Sequence, residues 1–243
     1  MAGRYEMNRK NRVKRIALKE VDSTNEYAKL LREKMQDEKQ NIIITAKRQT
    51  LGRGTKGRSF SSQKGGVYLT YLRYFQGFEA KRAFEIMASA AVAVCKTLES
   101  FGLSPVIKWA NDVHVNGKKI SGILTENSFG GNQVQNSIVG IGLNVNNELE
   151  KELHAIATTM REAMGKKVDL RKVIKRLMDN LQSPFFMDEY LSRLGYMGRR
   201  VELVFGDERV PATLISVGNE GVLTAEVGGE KRRFSAAEIS VIL

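Results

Sequence analysis

The chain has 243 residues, 42% of them hydrophobic, and its 39 Lys and Arg against 27 Asp and Glu give a formal charge of +12. That length supports a substantial core in one or two domains, and no run approaches the roughly 18 apolar residues of a membrane span, so cytoplasm is the default compartment. A lone Cys95 and two distant histidines, His114 and His154, exclude a disulfide framework, a thiolate cluster and a zinc site.

The cation excess favours acidic partners such as nucleotides, nucleic acid or an acidic protein. Residues 1–14 read as a basic arm, better explained as a solvated tail than as a nucleic-acid contact. RIALKEV (15–21) then reads as a strand. Ser23, followed three residues later by Glu26, predicts a capping box opening a helix, whose free N–H groups place Ser23 and Thr24 to line a polar pocket.

NIIITAKRQ (41–49) is the next strand, and it runs into TLGRGTKGRSF (50–60). Gly52, Gly54 and Gly57 let this loop come close to a ligand, while Arg53, Lys56 and Arg58 supply charge for phosphate or carboxylate oxygens. A mobile basic surface loop fits the stretch alone equally well. Its spacing also satisfies G-x-G-x-x-G, but the dinucleotide fingerprint needs a helix at its end and an acid about 20 residues on. A polar turn and the strand VYLTYLRYF (67–75) follow instead.

From Ala80 to Phe101 an apolar-periodic run rich in Ala and Met predicts a buried helix, ended by Gly102 and enclosing an inert Cys95. VIKWANDVHV (106–115) and KKISGILTENSF (118–129) flank Asn116-Gly117, a strong hairpin signal. As one hairpin they bring Lys108, Trp109, Asn111 and Asp112 near Lys119, Ser121 and Gly122. In VQNSIVGIGLNVNN (134–147), Gly140 and Gly142 mark either a close approach by a ligand or another backbone, or a β-bulge. Residues 148–195 read as two helices, the second interrupted at Pro184. Beyond a boundary near 196, five short strands separated by turns predict a small barrel over 197–243, leaving 15–196 as the main domain.

The ordered blocks STN, RQTLGRGTKGRSF, KWANDVHVNGKKISGILTE and GIGLNVNN, ahead of a small barrel, resemble the biotin protein ligases over Ile16 to Leu243. The resemblance is to the short form without a leading winged helix-turn-helix, so DNA binding is not expected. It implies an α+β fold, with a class II synthetase-like mixed sheet and an SH3-like C-terminal barrel. It also implies a reaction in which biotin and Mg-ATP give biotinyl-5′-AMP, from which biotin passes to a lysine of a biotin carboxyl carrier protein. Sheet-edge pairing in this family serves a homodimer or carrier docking, and one chain leaves both open.

Carried over residue by residue, the resemblance makes Ser23, Thr24 and Gln49 contacts to the ureido end of biotin, with Asn25 beside them, and Gly122 the space for biotin. Arg53 and Lys119 grip the biotin carboxylate and the α-phosphate, Lys119 being the foremost catalytic candidate. Lys56 and Arg58 meet ATP phosphates, Phe60 lies against adenine and Asn144 hydrogen-bonds it. Trp109 and Asn111 belong to the binding site, and Asp112 serves the Mg²⁺ side and the proton of the acceptor lysine. Gly52, Gly54, Thr55 and Gly57 complete the loop. Thr55 stands where the family commonly has arginine, Phe60 where it has tryptophan, Ala110 where it has proline, and Ala237-Glu238-Ile239 replaces a Gly-Glu-Val. A lipoate ligase shares the fold and chemistry, but its loop usually runs from an arginine into several glycines. A non-catalytic nucleic-acid-binding module would fit the charge and the barrel, yet leaves Asp112 and the ordered blocks unexplained.

Overall fold

The computed structural model describes residues 13–35, 39–185 and 187–242. Most of the expected basic arm lies outside these residues; Lys14, its last member, already pairs with Ile42 in the first strand. Seven strands form one sheet: β1 (Lys14–Leu18), β2 (Ile42–Ala46), β3 (Val67–Tyr74), β4 (Val106–Lys108), β5 (Asp112–Val115), β6 (Lys118–Gly130) and β7 (Gln133–Leu143). They lie in the order β1-β2-β3-β7-β6-β5-β4, with β1 parallel to β2 and the other neighbours antiparallel.

The alternation of strand side chains decides what covers each face. In β2, Ile42 and Ile44 join Leu72 and Ile138 beneath α1 (Thr24–Lys34), while Ile43 joins Leu69, Val139 and Ile141 beneath α2 (Ala83–Glu99). Both faces are apolar because both are covered, as β3 predicts. The alanines of α2 at 88, 90, 91 and 93 are almost wholly buried, and burial pushes the Cys95 thiol up to about 12, which fits an inert core cysteine.

Helix α1 has Ser23 as its N-cap, but the expected capping box is absent. Ser23 makes no side-chain cap bond, and the Glu26 carboxylate turns outward to Lys29 and Arg53. A complete capping box occurs instead at Thr159 and Glu162, opening α3 (Met160–Met164). With α4 (Leu170–Leu181) and α5 (Met187–Leu191), the described residues of 148–195 hold three α-helices rather than two helices, and Pro184 lies in the gap before α5.

The predicted hairpin is also more folded than expected. The run 106–115 is not one arm: β4 and β5 are antiparallel to each other, with Lys108 opposite Asp112, so the chain reverses across a cis Trp109–Ala110 peptide and Asn111. Only β5 and β6 form the Asn116-Gly117 hairpin, whose turn residues have φ of 51° and 77°. In β7 the pairing with β3 and β6 runs through Gly140 and Gly142 without a register shift, which eliminates the β-bulge.

A second, antiparallel sheet contains β8 (Arg200–Phe205), β9 (Glu208–Val217), β10 (Leu223–Val227), β11 (Glu230–Phe234) and β12 (Ser240–Ile242), in the order β11-β10-β9-β8-β12. Among the described residues β11 and β12 do not pair, so closure into a barrel is not observed. Trp109 ties this sheet to the first, its buried indole N–H donating to the Gly221 carbonyl at 2.9 Å. From the other side, the Tyr190 hydroxyl donates to the Ala110 carbonyl at 2.8 Å. The β4–β5 reversal is thereby held by two buried bonds, each worth about 1 kcal/mol net and more if one partner were left unsatisfied.

Candidate active site

One cleft opens at the start of α1, where the loop after β2 folds across strands β6 and β7. Thr24 donates from both its N–H and its hydroxyl to Gln49 Oε1, at 2.8 and 2.9 Å. Gln49 Nε2 in turn donates to Ser62 Oγ, which donates to the Phe60 carbonyl. From the central strand, Thr70 Oγ1 lies 2.8 Å from Thr24 Oγ1 and 2.7 Å from Asn25 Oδ1. Thr24, Asn25 and Thr70 are buried, so each fixes its neighbours in one orientation.

The glycines of β7 and β6 explain how the side chains fit. A methyl group at Gly140 would overlap the Asn25 amide, and one at Gly142 would overlap the Phe60 ring. At Gly122 it would meet Lys119 Cε and Nζ at 3.2 Å and the Phe60 ring at 3.5 Å. The close approach inferred from sequence is therefore an approach of the protein's own Asn25, Phe60 and Lys119. Gly52 similarly admits the Phe60 carbonyl and Ser62.

At the other end the charges gather. Lys119 Nζ lies 2.7 Å from Asp112 Oδ1, and the Lys119 backbone is fixed by bonds to Ile156 and Thr158. A register shift between β5 and β6 at Val113/His114 accompanies this placement. Asn111 Nδ2 donates to the Ile123 carbonyl, and its own carbonyl accepts from the Ile123 N–H. Burial pushes the Lys108 ammonium below its ordinary value; nearby Asp112 opposes the change, and Lys119 and Arg58 reinforce it. His114 is pushed down to about 4, by burial first and then by Lys108, so it stays neutral between these cations.

Arg58 donates to Thr55 O and Oγ1, Lys56 reaches Ser240 Oγ of the second sheet at 3.4 Å, and Arg53 pairs with Glu26 at 2.9 Å. Lys56 and Gly57 take the left-handed conformation, with φ of 57° and 72°, inside a single 3-10 turn. No long helix opens there, in accord with setting the dinucleotide fingerprint aside.

Two cavities meet at this loop. A smaller one of about 110 Å³ runs from Thr24 and Gln49 to Lys119, and a larger one of about 460 Å³ lies between the β4–β5 reversal and the second sheet. Thr55, Arg58, Asn111 and Ile123 line both. Of the residues expected from sequence, Ser23, Asn25, Arg53, Gly54, Phe60 and Gly122 also line the first, and Lys56, Trp109 and Asp112 line the second. Trp109 is mainly a brace, as its indole bond shows. Gly52, Gly57 and Asn144 line neither; Asn144 is buried and accepts from Asn147 Nδ2 at 3.2 Å, supporting the end of β7.

Thr70, Ser62 and Glu126 were not singled out by sequence, since each reads as an ordinary strand or turn residue. Thr125 and Asn127, which line the larger cavity, each carry a buried oxygen without a partner among the described residues. Among the described residues no group of three acids, histidines or cysteines could hold a metal. Asp112 alone fits a Mg²⁺ only in the mode where substrate phosphates supply the other ligands.

The family model described as the biotin/lipoate A/B protein ligase family matches residues 17–144. The chain is 30% identical over 217 residues to the bifunctional ligase/repressor BirA of Bacillus subtilis, covering 83% of this chain and 66% of that relative. It is 36% identical over 132 residues to the biotin–[acetyl-CoA-carboxylase] ligase of Paracoccus denitrificans, covering 53% of each. Among solved structures, the biotin protein ligase from Aquifex aeolicus in complex with biotin and ATP aligns with a TM-score of 0.74 at 32% identity, over 94% of this chain and 98% of that one.

Proposed function

Because the chain belongs to the biotin/lipoate A/B protein ligase family, we propose that it is a biotin protein ligase: it joins biotin to AMP at the expense of Mg-ATP and passes the biotinyl group to a lysine of a biotin carboxyl carrier domain. The observation that carries this reading is one continuous cleft with a neutral polar end at Thr24 and Gln49 and a cationic end at Lys119 and Arg58, with the loop's Arg53 also in its lining. A ligand with an uncharged hydrogen-bonding head and a carboxylate tail matches that polarity. The relative solved with biotin and ATP, which this chain spans almost completely, supports it.

In the first step a carboxylate oxygen attacks the α-phosphorus and pyrophosphate leaves. Charge builds on the α-phosphoryl oxygens, and a fixed cation there is worth roughly 3–4 kcal/mol of barrier. Lys119 is the group best placed for this task, since its backbone is fixed on both sides and its ammonium is oriented by Asp112. Arg58 and Asn111, shared by both cavities, stand where the two substrates would meet. ATP would bring its Mg²⁺ as a substrate, and Asp112, which lines the larger cavity, would be a carboxylate to hold it. In the second step the neutral lysine amine of the carrier attacks the acyl carbon, the bond from that carbon to the phosphate oxygen breaks so that AMP leaves, and the proton lost by the amine passes to Asp112 or to water. The test is ATP–pyrophosphate exchange: exchange that requires biotin supports the reading, and exchange that requires lipoate instead would move the chain to the other branch of its family.

A further inference from the structure

The loop arginine expected to grip the ligand's anion already has an anion. Arg53 Nη1 lies 2.9 Å from Glu26 Oε1, and the same oxygen lies 2.9 Å from Lys29 Nζ. Lys29 reaches Glu126 at 2.6 Å, and the other oxygen of Glu126 accepts from Asn25 Nδ2 at 2.9 Å. A run of polar contacts thus leads from Asn25, in the neutral end of the cleft, to Arg53 in the loop. The two carboxylates hold the Lys29 ammonium in its charged form, Glu126 contributing most, so the middle of this run is a fixed cation.

We propose that Glu26 is a positioning residue that acts through Arg53, holding the guanidinium at the helix start until a ligand carboxylate or phosphate takes its place. The proposal rests on the ligase reading for the identity of that ligand. Two features make the exchange easy and a third opposes it. The Arg53 side chain is 58% exposed and, among the described residues, bound to Glu26 through one nitrogen, so its other donors can meet a ligand. Glu26 keeps Lys29 when Arg53 leaves, so no carboxylate is stranded without a counter-ion. Once Arg53 has gone, Glu26, Lys29 and Glu126 together carry one net negative charge, which opposes the incoming anion.

Replacing the carboxylate by an amide therefore removes a competitor. Glu26→Gln should tighten biotin about two- to fivefold at low ionic strength, the range of an exposed pair, and the gain should fade in high salt. Trypsin cleavage after Lys56 and Arg58 in the ligand-free protein should accelerate by a similar factor. Glu20→Gln, which breaks the Glu20–Arg48 pair outside both cavities, should change neither. Weaker biotin binding by Glu26→Gln, or cleavage no faster than in the parent, would overturn the proposal. If the parent shows no biotin-dependent exchange, the ligase reading falls, and the cleavage rates still decide whether Glu26 holds Arg53.

Discussion

At the Thr24 end of the cleft the polar groups stand on a helix start and a central strand, buried and satisfied by one another. At the loop end Arg53, Lys56 and Arg58 stand on exposed backbone and are held by contacts to Glu26, Ser240 and Thr55. The difference follows from what each end must recognise. A neutral amide-like head is discriminated only by donors and acceptors already in position, because a buried group left unpaired costs about 1–3 kcal/mol. An anion can be met by solvated cations that are ordered as it arrives. Lys119 stands between these plans, with a rigid backbone and a partly exposed ammonium.

The largest effect should come from that intermediate group. Lys119→Ala is expected to slow adenylate formation by about 10²–10³-fold. Thermal unfolding should barely move, because its pair with Asp112 is partly exposed and such pairs add at most about 1 kcal/mol. An unchanged rate would remove Lys119 from the chemistry. A smaller effect should mark the preassembled end. Gly140→Ala forces a methyl group into the Asn25 amide and should lower stability by about 1–3 kcal/mol, seen in denaturant unfolding, together with weaker biotin binding. If both stayed at the parent values, the Thr24 end would not be rigid and the contrast with the loop would disappear.

Much of this arrangement is legible in the sequence because its signals are local. The apolar alternation of β2 and β3, the Ala-rich α2 and the Asn116-Gly117 turn each specify their own element. Gly140 and Gly142 announce crowding, but the expected approach of a ligand or another backbone is instead an approach of the Asn25 and Phe60 side chains. What escapes the sequence is tertiary. The reversal at Trp109–Asn111 has no glycine or proline, and Asn111-Asp112 is only a weak turn signal inside an otherwise strand-like run; the turn is held by Gly221 and Tyr190, 80 or more residues away. Thr70 reads as a β-branched strand residue, and only the packing of α1 shows that its hydroxyl links Thr24 to Asn25. The Ser23/Glu26 capping box is replaced by other pairs: the Ser23 N–H donates to Asp22 Oδ1, and Glu26 pairs with Lys29 and Arg53.

The division between a prebuilt end and a ligand-ordered end is tested most directly by amide hydrogen exchange, comparing the free protein with the protein holding biotin and Mg-ATP. The account predicts that exchange slows strongly over residues 52–60, while residues 67–72 and 138–143, already protected in the sheet, stay as they were. Equal protection of the loop in both states, or new protection spread evenly over loop and sheet, would contradict it.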